Sequence, residues 1–174
     1  KSKYIVFLDS CFDHSDRAEY DSKPNDIDKK EYYSEIHKAF KEKKDFIFLL
    51  HPSSNFLQVK KYLKDILIVK YKTRFYLKRS KIVLFHESSS ILDAIYLKKK
   101  MISLDSDYLG RYFRYRNKLY SKALNLKTIN LSDDENKHKI MNKTLNRSSI
   151  KSKKQKKYVF LNQSNRIGLK DIIN

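Results

Sequence analysis

The fold of this chain is decided by one stretch, Lys81-Ile82-Val83-Leu84-Phe85-His86-Glu87-Ser88-Ser89-Ser90-Ile91-Leu92-Asp93-Ala94-Ile95-Tyr96. Its first five residues form a mainly apolar run, which has the length and character of a buried strand. After the three serines, apolar residues return at helical spacing, and this predicts a helix. An apolar strand that leads into a helix is typical of a parallel sheet covered on both faces.

The same alternation continues on both sides of this stretch. Further strands are predicted over 4–8, 46–50, 66–69 and 101–104, with a candidate sixth strand over 128–131. Helices are predicted over about 31–43, around 56–63 and, as a helix or turn, over 73–80. With right-handed crossovers, this order gives an α/β fold: a doubly wound, Rossmann-like parallel sheet with helices on both faces.

The alternating pattern weakens toward the C-terminus. We therefore expect a Rossmann-like domain over 1–131 and a Lys-rich C-terminal extension over 132–174. Within the extension, 158–161 and 166–173 are candidates for a returning strand and helix. The densest basic run, 151–157, is interpreted as a solvated linker or helix surface.

The composition excludes several classes of protein. No apolar run approaches the roughly 20 residues that a membrane-spanning helix needs. A single cysteine, Cys11, excludes an internal disulfide framework and a cysteine-rich zinc module. Because no signal-peptide pattern is present, we expect a cytoplasmic protein, with peripheral contact to the inner face of the cell membrane as a further option.

The net charge is +19, from 39 Lys and Arg against 20 Asp and Glu. Such an excess normally indicates a polyanionic partner: nucleic acid, an anionic membrane surface or a phosphorylated ligand. Here 31 of the 39 basic residues are lysine. Lysine supplies a diffuse field rather than the planar fork with which arginine recognises bases and phosphates. The charge therefore gives little support to nucleic acid as the partner.

Ligands of open α/β sheets bind outside the carboxyl ends of the strands, near the point where the strand order reverses. The candidate site residues are polar side chains at those ends. They are His51 and Ser53 after the second strand, and Glu87, Ser88, Ser89 and Ser90 after the strand over 81–85. Although these residues are scattered in sequence, we expect them to converge on one rim.

Two of these features have competing interpretations. Serines at a helix N-terminus can hold an anion through hydroxyls and free N–H groups, but serine is also a common N-cap. His51 can donate to a phosphate or act as an acid or base, but it can also simply hydrogen-bond its own loop while Pro52 ends the strand. The residues themselves leave both pairs of alternatives open.

Other constellations are weaker. His86 and Glu87 could form an acid/base pair, although adjacent residues at a strand end point in different directions. Asp105 and Asp107 could bind a metal or a ribose, or could be turn residues. Asp9, Asp13, His14 and Asp16 include possible metal ligands without a fixed spacing, and we expect no metal site. Gly110 and Gly168 cannot build a glycine-rich phosphate loop.

An aromatic and basic stretch extends from Tyr108 to Tyr120 and includes Arg111, Arg114 and Arg116. Interleaved rings and cations can stack bases or bind phosphates. The alternative is an amphipathic segment that packs its rings and solvates its arginines.

The motifs and their order resemble the C-terminal half of bacterial GT-B transferases that make surface polysaccharide. The similar families are capsule and lipopolysaccharide glycosyltransferases, sialyltransferases with a His-Pro motif, and wall-teichoic glycerophosphotransferases. The resemblance covers roughly 1–131 and rests on two stretches, Phe48-Leu49-Leu50-His51-Pro52-Ser53-Ser54 and Ile82 to Ala94. It implies that His51 contacts the donor phosphate and that Ser88 and Ser89 hold it, with Ser90 as the alternative in register.

The resemblance also implies a function. The chain would be the nucleotide-sugar-binding domain of a metal-independent glycosyltransferase in surface polysaccharide synthesis, with a CMP- or CDP-linked donor, a glycan or lipid-linked acceptor and no separate cofactor. These families place the acceptor site, and the general base of sialyltransferases, in an N-terminal domain that this chain lacks, so a fragment is expected. His86-Glu87 departs from the small or polar residues expected there. The alternative is a non-catalytic basic α/β domain that binds nucleic acid or an anionic membrane surface.

Overall fold

Six parallel strands form one sheet in the computed structural model, which describes residues 2–12 and 26–133. The strands are β1 Tyr4–Leu8, β2 Phe46–Leu49, β3 Leu67–Val69, β4 Ser80–Phe85, β5 Lys100–Asp105 and β6 Thr128–Asn130. The candidate strand and helix over 158–161 and 166–173 lie outside the described residues, as does nearly all of the predicted extension over 132–174.

Five α-helices and one turn of 3-10 helix connect the strands within the described residues. They are α1 Lys29–Phe40, α2 Phe56–Tyr62, α3 Thr73–Arg79, α4 Ile91–Tyr96, the 3-10 turn Asp107–Leu109 and α5 Gly110–Leu124. Asp28 begins α1, since its side chain accepts a hydrogen bond from the Glu31 N–H at 3.1 Å. Asn55 begins α2 in the same way, by accepting from the Gln58 N–H at 3.1 Å.

The strand order is β3-β2-β1-β4-β5-β6, and each neighbouring pair is parallel. Val6 of β1 lies opposite Ile47 of β2 on one side and Val83 of β4 on the other. The predicted doubly wound, Rossmann-like parallel sheet is therefore confirmed. The strand order reverses between β1 and β4, and this is the position where sheets of this class bind ligands.

Both faces of the sheet are buried, which explains why the strands are apolar throughout. Residues such as Ile5, Phe7 and Phe48 pack on one face with the apolar side chains of α1 and α2. Val6 and Ile47, one position along the same strands, pack on the opposite face with α3, α4 and α5. Because successive strand residues point to opposite faces, a strand covered on both sides needs apolar residues at every position.

The aromatic and basic stretch forms α5, whose start depends on a glycine. Gly110 has a φ of +79°, a conformation that side-chain-bearing residues rarely adopt. A Cβ at this position would lie 2.9 Å from both Asp26 Oδ1 and the Ile27 backbone nitrogen. Glycine is therefore needed here for close contact with the segment before α1 as well as for its backbone conformation.

Candidate functional site

The loop after β2 is fastened to the end of β1 by one buried carboxylate. Asp9 follows β1 directly and is 3% exposed. Its Oδ2 accepts hydrogen bonds from the His51 backbone N–H and from the Ser54 hydroxyl, each at 3.1 Å. Asp9 therefore fixes the position of the His-Pro loop from a neighbouring strand.

The loop after β4 is held in place by Ser10, the residue that follows Asp9. Ser10, also buried, donates from its hydroxyl to Glu87 Oε2 at 3.2 Å. Asp9 and Ser10 together thus join the loops that follow β2 and β4, the strands on either side of β1. We call this pair the β1 anchor. It brings the two predicted motif loops to one rim, about two strand spacings, or roughly 10 Å, apart.

His51 is half-buried on this rim, and its ring is oriented by its own loop. Its Nδ1 accepts a hydrogen bond from the Ser53 backbone N–H at 3.2 Å. An Nδ1 that accepts must carry no proton, so the neutral ring is protonated at Nε2. This tautomer makes His51 a hydrogen-bond donor at Nε2. The Ser53 residue is exposed beside it.

The three serines form a turn that precedes α4. They are not part of the first turn of the helix itself. The carbonyls of Ser88 and Ser89 accept from the N–H groups of Ile91 and Leu92 at 3.2 and 3.3 Å. Ser90 occupies the N-cap position but makes no side-chain capping hydrogen bond, so the capping interpretation is wrong for this residue. Ser89 is exposed, Ser90 is half-buried and Ser88 is buried.

His86 belongs to the protein interior. Its side chain is fully buried, and the rings of Phe12 and Tyr32 lie within 5.4 Å of it, centroid to centroid. Its Nδ1 lies 2.6 Å from the Tyr32 hydroxyl, while Nε2 has no hydrogen-bond partner among the described residues. Burial lowers the pKa of His86 to about 3, so the ring is neutral near pH 7.

His86 and Glu87 therefore do not act as an acid/base pair. The His86 ring contacts the aromatic cluster on the α1 face, whereas the Glu87 carboxylate accepts from Ser10. This agrees with the expectation that adjacent residues at a strand end point in different directions. The structure also explains why His86 and Glu87 stand where small or polar residues were expected. His86 fills the core, and Glu87 accepts a hydrogen bond from the β1 anchor.

The far end of the rim, after β5 and β6, is occupied by side chains that pair with each other. Arg114 Nη2 lies 3.2 Å from Asp105 Oδ2 and 3.2 Å from Asp107 Oδ1. The Ser106 hydroxyl donates to Glu35 Oε2 at 2.6 Å. The two aspartates considered as metal or ribose ligands are thus engaged by an arginine of α5. Sequence patterns could not show this pairing.

The other arginines of α5 also have protein partners. Arg111 donates from Nε to Asp26 Oδ2 at 3.0 Å, and Arg116 donates from Nη2 to the Tyr120 hydroxyl at 3.1 Å. Tyr112, Phe113 and Tyr120 are buried. The amphipathic interpretation of this stretch is therefore confirmed, with ion pairs and hydrogen bonds added to the solvation that the sequence predicted.

The described residues contain neither a cluster of metal-ligating side chains nor a membrane-spanning helix. Over 2–12 and 26–133, no group of three or more His, Cys, Asp or Glu side chains could hold a metal ion. Asp13, His14 and Asp16 lie outside the described residues. In the same two ranges, no helix combines the length and the apolar character needed to cross a membrane.

Comparison with known proteins gave a structural likeness but no match in sequence. No family model and no curated protein matches the chain. Among solved structures, the chain is similar to a protein from Listeria monocytogenes that is provisionally identified as a UDP-N-acetylglucosamine 2-epimerase, at 13% sequence identity and a TM-score of 0.46. The match covers 91% of this chain and 40% of that one, so the chain spans less than half the length of its structural neighbour.

Proposed function

We propose that this chain is the nucleotide-sugar-binding domain of a glycosyltransferase that acts in bacterial surface polysaccharide synthesis. One observation carries the proposal: the β1 anchor joins the His51 loop and the serine turn across the point where the strand order reverses. Ligands of open α/β sheets bind at this point, and both loops offer polar groups that suit a phosphate. The polysaccharide pathway and the nucleotide class follow from the resemblance in motifs.

Each candidate residue has a role in the proposed function. His51 donates from Nε2 to the donor phosphate, and the exposed Ser53 and Ser89 supply hydroxyls beside it. Ser88 and Ser90 complete the turn that faces the ligand. Glu87 is 3% exposed and bonded to Ser10, so it acts as a positioning residue for this turn.

The reaction would be a displacement at the anomeric carbon of the donor sugar. The bond from this carbon to the nucleotide phosphate oxygen breaks, and a bond to an acceptor hydroxyl oxygen forms. The acceptor proton passes to a general base, which the proposal places in a partner domain. Negative charge develops on the departing phosphate, where the His51 donor and serine hydroxyls stabilise it. The acceptor is a glycan or a lipid-linked sugar.

A thermal-shift panel of CMP, CDP, UDP, GDP and ADP with the full chain tests this proposal. A ligand at a hundred times its dissociation constant adds about 2.7 kcal/mol to the free energy of unfolding, which is a shift of several degrees in Tm. We expect such a shift with at least one nucleotide, and a stronger one with the matching nucleotide sugar. No shift with any nucleotide would overturn the proposal.

Two matched variants locate the binding site. His51→Ala removes the proposed phosphate donor and should abolish the shift. His37→Ala changes another half-buried histidine, which lies on α1 with its Nε2 3.6 Å from Asp65 Oδ2, and should leave the shift intact. Equal effects of the two substitutions would place the nucleotide elsewhere.

A further inference from the structure

One edge of the sheet exposes an unusual number of large apolar side chains. Eight large hydrophobic side chains are exposed among the described residues, and five of them lie in the segment 56–75 around edge strand β3. They are Phe56, Leu57, Leu67, Tyr71 and Phe75. Leu57 and Tyr71 are 73% and 76% exposed, so most of their surface contacts solvent. Clustered exposure of this kind marks an interaction surface.

The same segment is strongly basic. Residues 56–75 contain six Lys and Arg side chains and one acidic residue, Asp65, for a net charge of +5. The basic residues are Lys60, Lys61, Lys64, Lys70, Lys72 and Arg74. Five of these six are lysines, as the overall composition predicts. A partner for this segment must therefore carry negative charge and also bury apolar side chains.

A hydrogen bond joins the two most exposed parts of the segment. Lys70 Nζ donates to the Ser54 carbonyl at 3.1 Å, which links the turn after β3 to the loop just before Phe56 and Leu57. Lys70 Nζ also lies 5.4 Å from the centre of the Tyr71 ring. We call Phe56, Leu57 and the turn 70–72 the edge corner. It lies at the carboxyl end of the strands, the same end as the β1 anchor.

The backbone at Tyr71 is held in an unfavourable conformation. Its φ is +66°, in the left-handed region that costs a residue with a side chain about 1 kcal/mol. Such a conformation persists only where the surrounding structure maintains it. The Lys70–Ser54 bond is one of the interactions that hold this turn, and the result is an exposed aromatic ring flanked by lysines.

We propose that the edge corner docks onto an anionic phospholipid bilayer. Leu57 and the Tyr71 ring enter the headgroup boundary, while Lys72 and Arg74 contact lipid phosphates. An anionic bilayer matches both properties of the surface, because each basic residue near it contributes about 1 kcal/mol and apolar side chains gain further from burial. Nucleic acid matches less well, because base stacking would use aromatic rings such as Tyr71 but would leave Leu57, which is 73% exposed, without an apolar partner.

Single-tryptophan reporters test the docking directly, because the chain contains no tryptophan. Tyr71→Trp places a reporter on the edge corner, and Tyr96→Trp places one at another exposed tyrosine, at the end of α4. Vesicles of equal parts phosphatidylglycerol and phosphatidylcholine should move the emission of the first variant to shorter wavelength and protect it from acrylamide. The second variant should not respond. Absence of a response at position 71, or equal responses at both positions, would overturn the proposal.

Vesicle cosedimentation of the full chain separates the contribution of charge to membrane binding from that of apolar burial. Lys72→Glu with Arg74→Glu should weaken binding to the mixed vesicles by at least about tenfold. Leu57→Ser with Tyr71→Ser should weaken it by about tenfold through lost apolar burial. Lys41→Glu with Lys44→Glu, two exposed lysines at the amino end of the strands, should change it little. Pure phosphatidylcholine vesicles should bind the protein poorly.

Two outcomes would contradict this assignment. Equal losses in the Lys41/Lys44 and Lys72/Arg74 variants would show a general charge effect with no docking surface. Binding to a mixed-sequence oligonucleotide that survives Leu57→Ser and Tyr71→Ser, together with no vesicle binding, would assign the surface to nucleic acid. Vesicle binding does not depend on the nucleotide site, since a chain that fails the nucleotide panel can still bind vesicles. All substituted side chains are exposed, so unfolding curves should match the wild type.

Discussion

The two ends of the carboxyl rim use polar side chains in different ways. After β1, β2 and β4, Asp9 and Ser10 are buried and bond to loops, which leaves His51 and Ser53 at the surface of those loops. After β5, charged side chains such as Arg114 and Asp105 pair with each other. Under the proposed function, the first arrangement positions groups for a ligand, whereas the second arrangement pairs its charges within the protein. The hydrogen-bond or ion-pair partner of a polar residue at a strand end therefore says more about its role than its position does.

The largest expected effect comes from breaking the β1 anchor at Asp9. Asp9→Ala leaves the buried Ser54 hydroxyl and the His51 N–H without their acceptor. Each unsatisfied group costs about 1–3 kcal/mol, so the free energy of unfolding should fall by about 3 kcal/mol. Urea unfolding measures this loss. A decrease no larger than that of a surface substitution would show that Asp9 does not hold the loop.

The second-largest effect is the acid sensitivity of stability that the interior His86 confers, with His51 on the rim as the comparison. The folded-state pKa of His86 is about 3, against 6.5 when unfolded. Between these values the unfolded state binds more protons, so stability falls on acidification. From His86 alone we expect a loss of about 2 kcal/mol between pH 7 and about pH 5.

Urea unfolding at the two pH values, with substituted histidines, checks this prediction. His86→Gln removes the titrating group and should reduce the acid sensitivity, even though it lowers stability overall. His51→Gln on the rim leaves His86 in place, so the acid sensitivity assigned to the buried ring should remain. An unchanged pH dependence in His86→Gln would contradict the assignment of acid sensitivity to the buried ring.

A smaller effect tests the other half of the anchor. Ser10→Ala removes the hydroxyl that donates to the buried Glu87 carboxylate, and we expect a loss of about 1 kcal/mol in the free energy of unfolding. Because Glu87 positions the serine turn, nucleotide binding should weaken as well. Thermal shifts with and without nucleotide measure both quantities. Unchanged nucleotide binding would show that the Ser10–Glu87 bond is structural alone.

The smallest effect is expected at the far end of the rim. Asp107→Ala removes an ion pair with Arg114 and the hydrogen bond from Asn130 Nδ2. The Asp107 side chain is largely exposed, so the loss should be about 0.5 kcal/mol, with no change in the nucleotide-induced shift. A loss of nucleotide binding in this variant would extend the ligand site to β5 and β6 and remove the contrast between the two ends.

The fold could be predicted because its signal is local. Every position of the run Ile82 to Phe85 is apolar, since the two faces of β4 are both buried, and the helices that cover them show apolar residues at regular spacing. Helix boundaries were less predictable. The serine turn looked like the start of a helix because the sequence does not show that Ser88 and Ser89 carbonyls bond the following N–H groups.

The candidate site could be predicted only in part. The strand ends identified His51 and the serines, but the bonds that fasten their loops join residues 42 and 77 positions apart in the chain. No sequence pattern records such partners. His86 shows the same difficulty, since its role as a core residue depends on Phe12 and Tyr32, which come from distant segments.

The Ser10–Glu87 hydrogen bond has a consequence for the shape of the proposed ligand site. It joins the chain ends of β1 and β4 where an open α/β sheet would otherwise leave a cleft between diverging loops. A ligand of the proposed site would therefore rest above this bond without inserting between the two strands. In the proposed site, discrimination among ligands would then depend on the His51 loop on one side and the serine turn on the other.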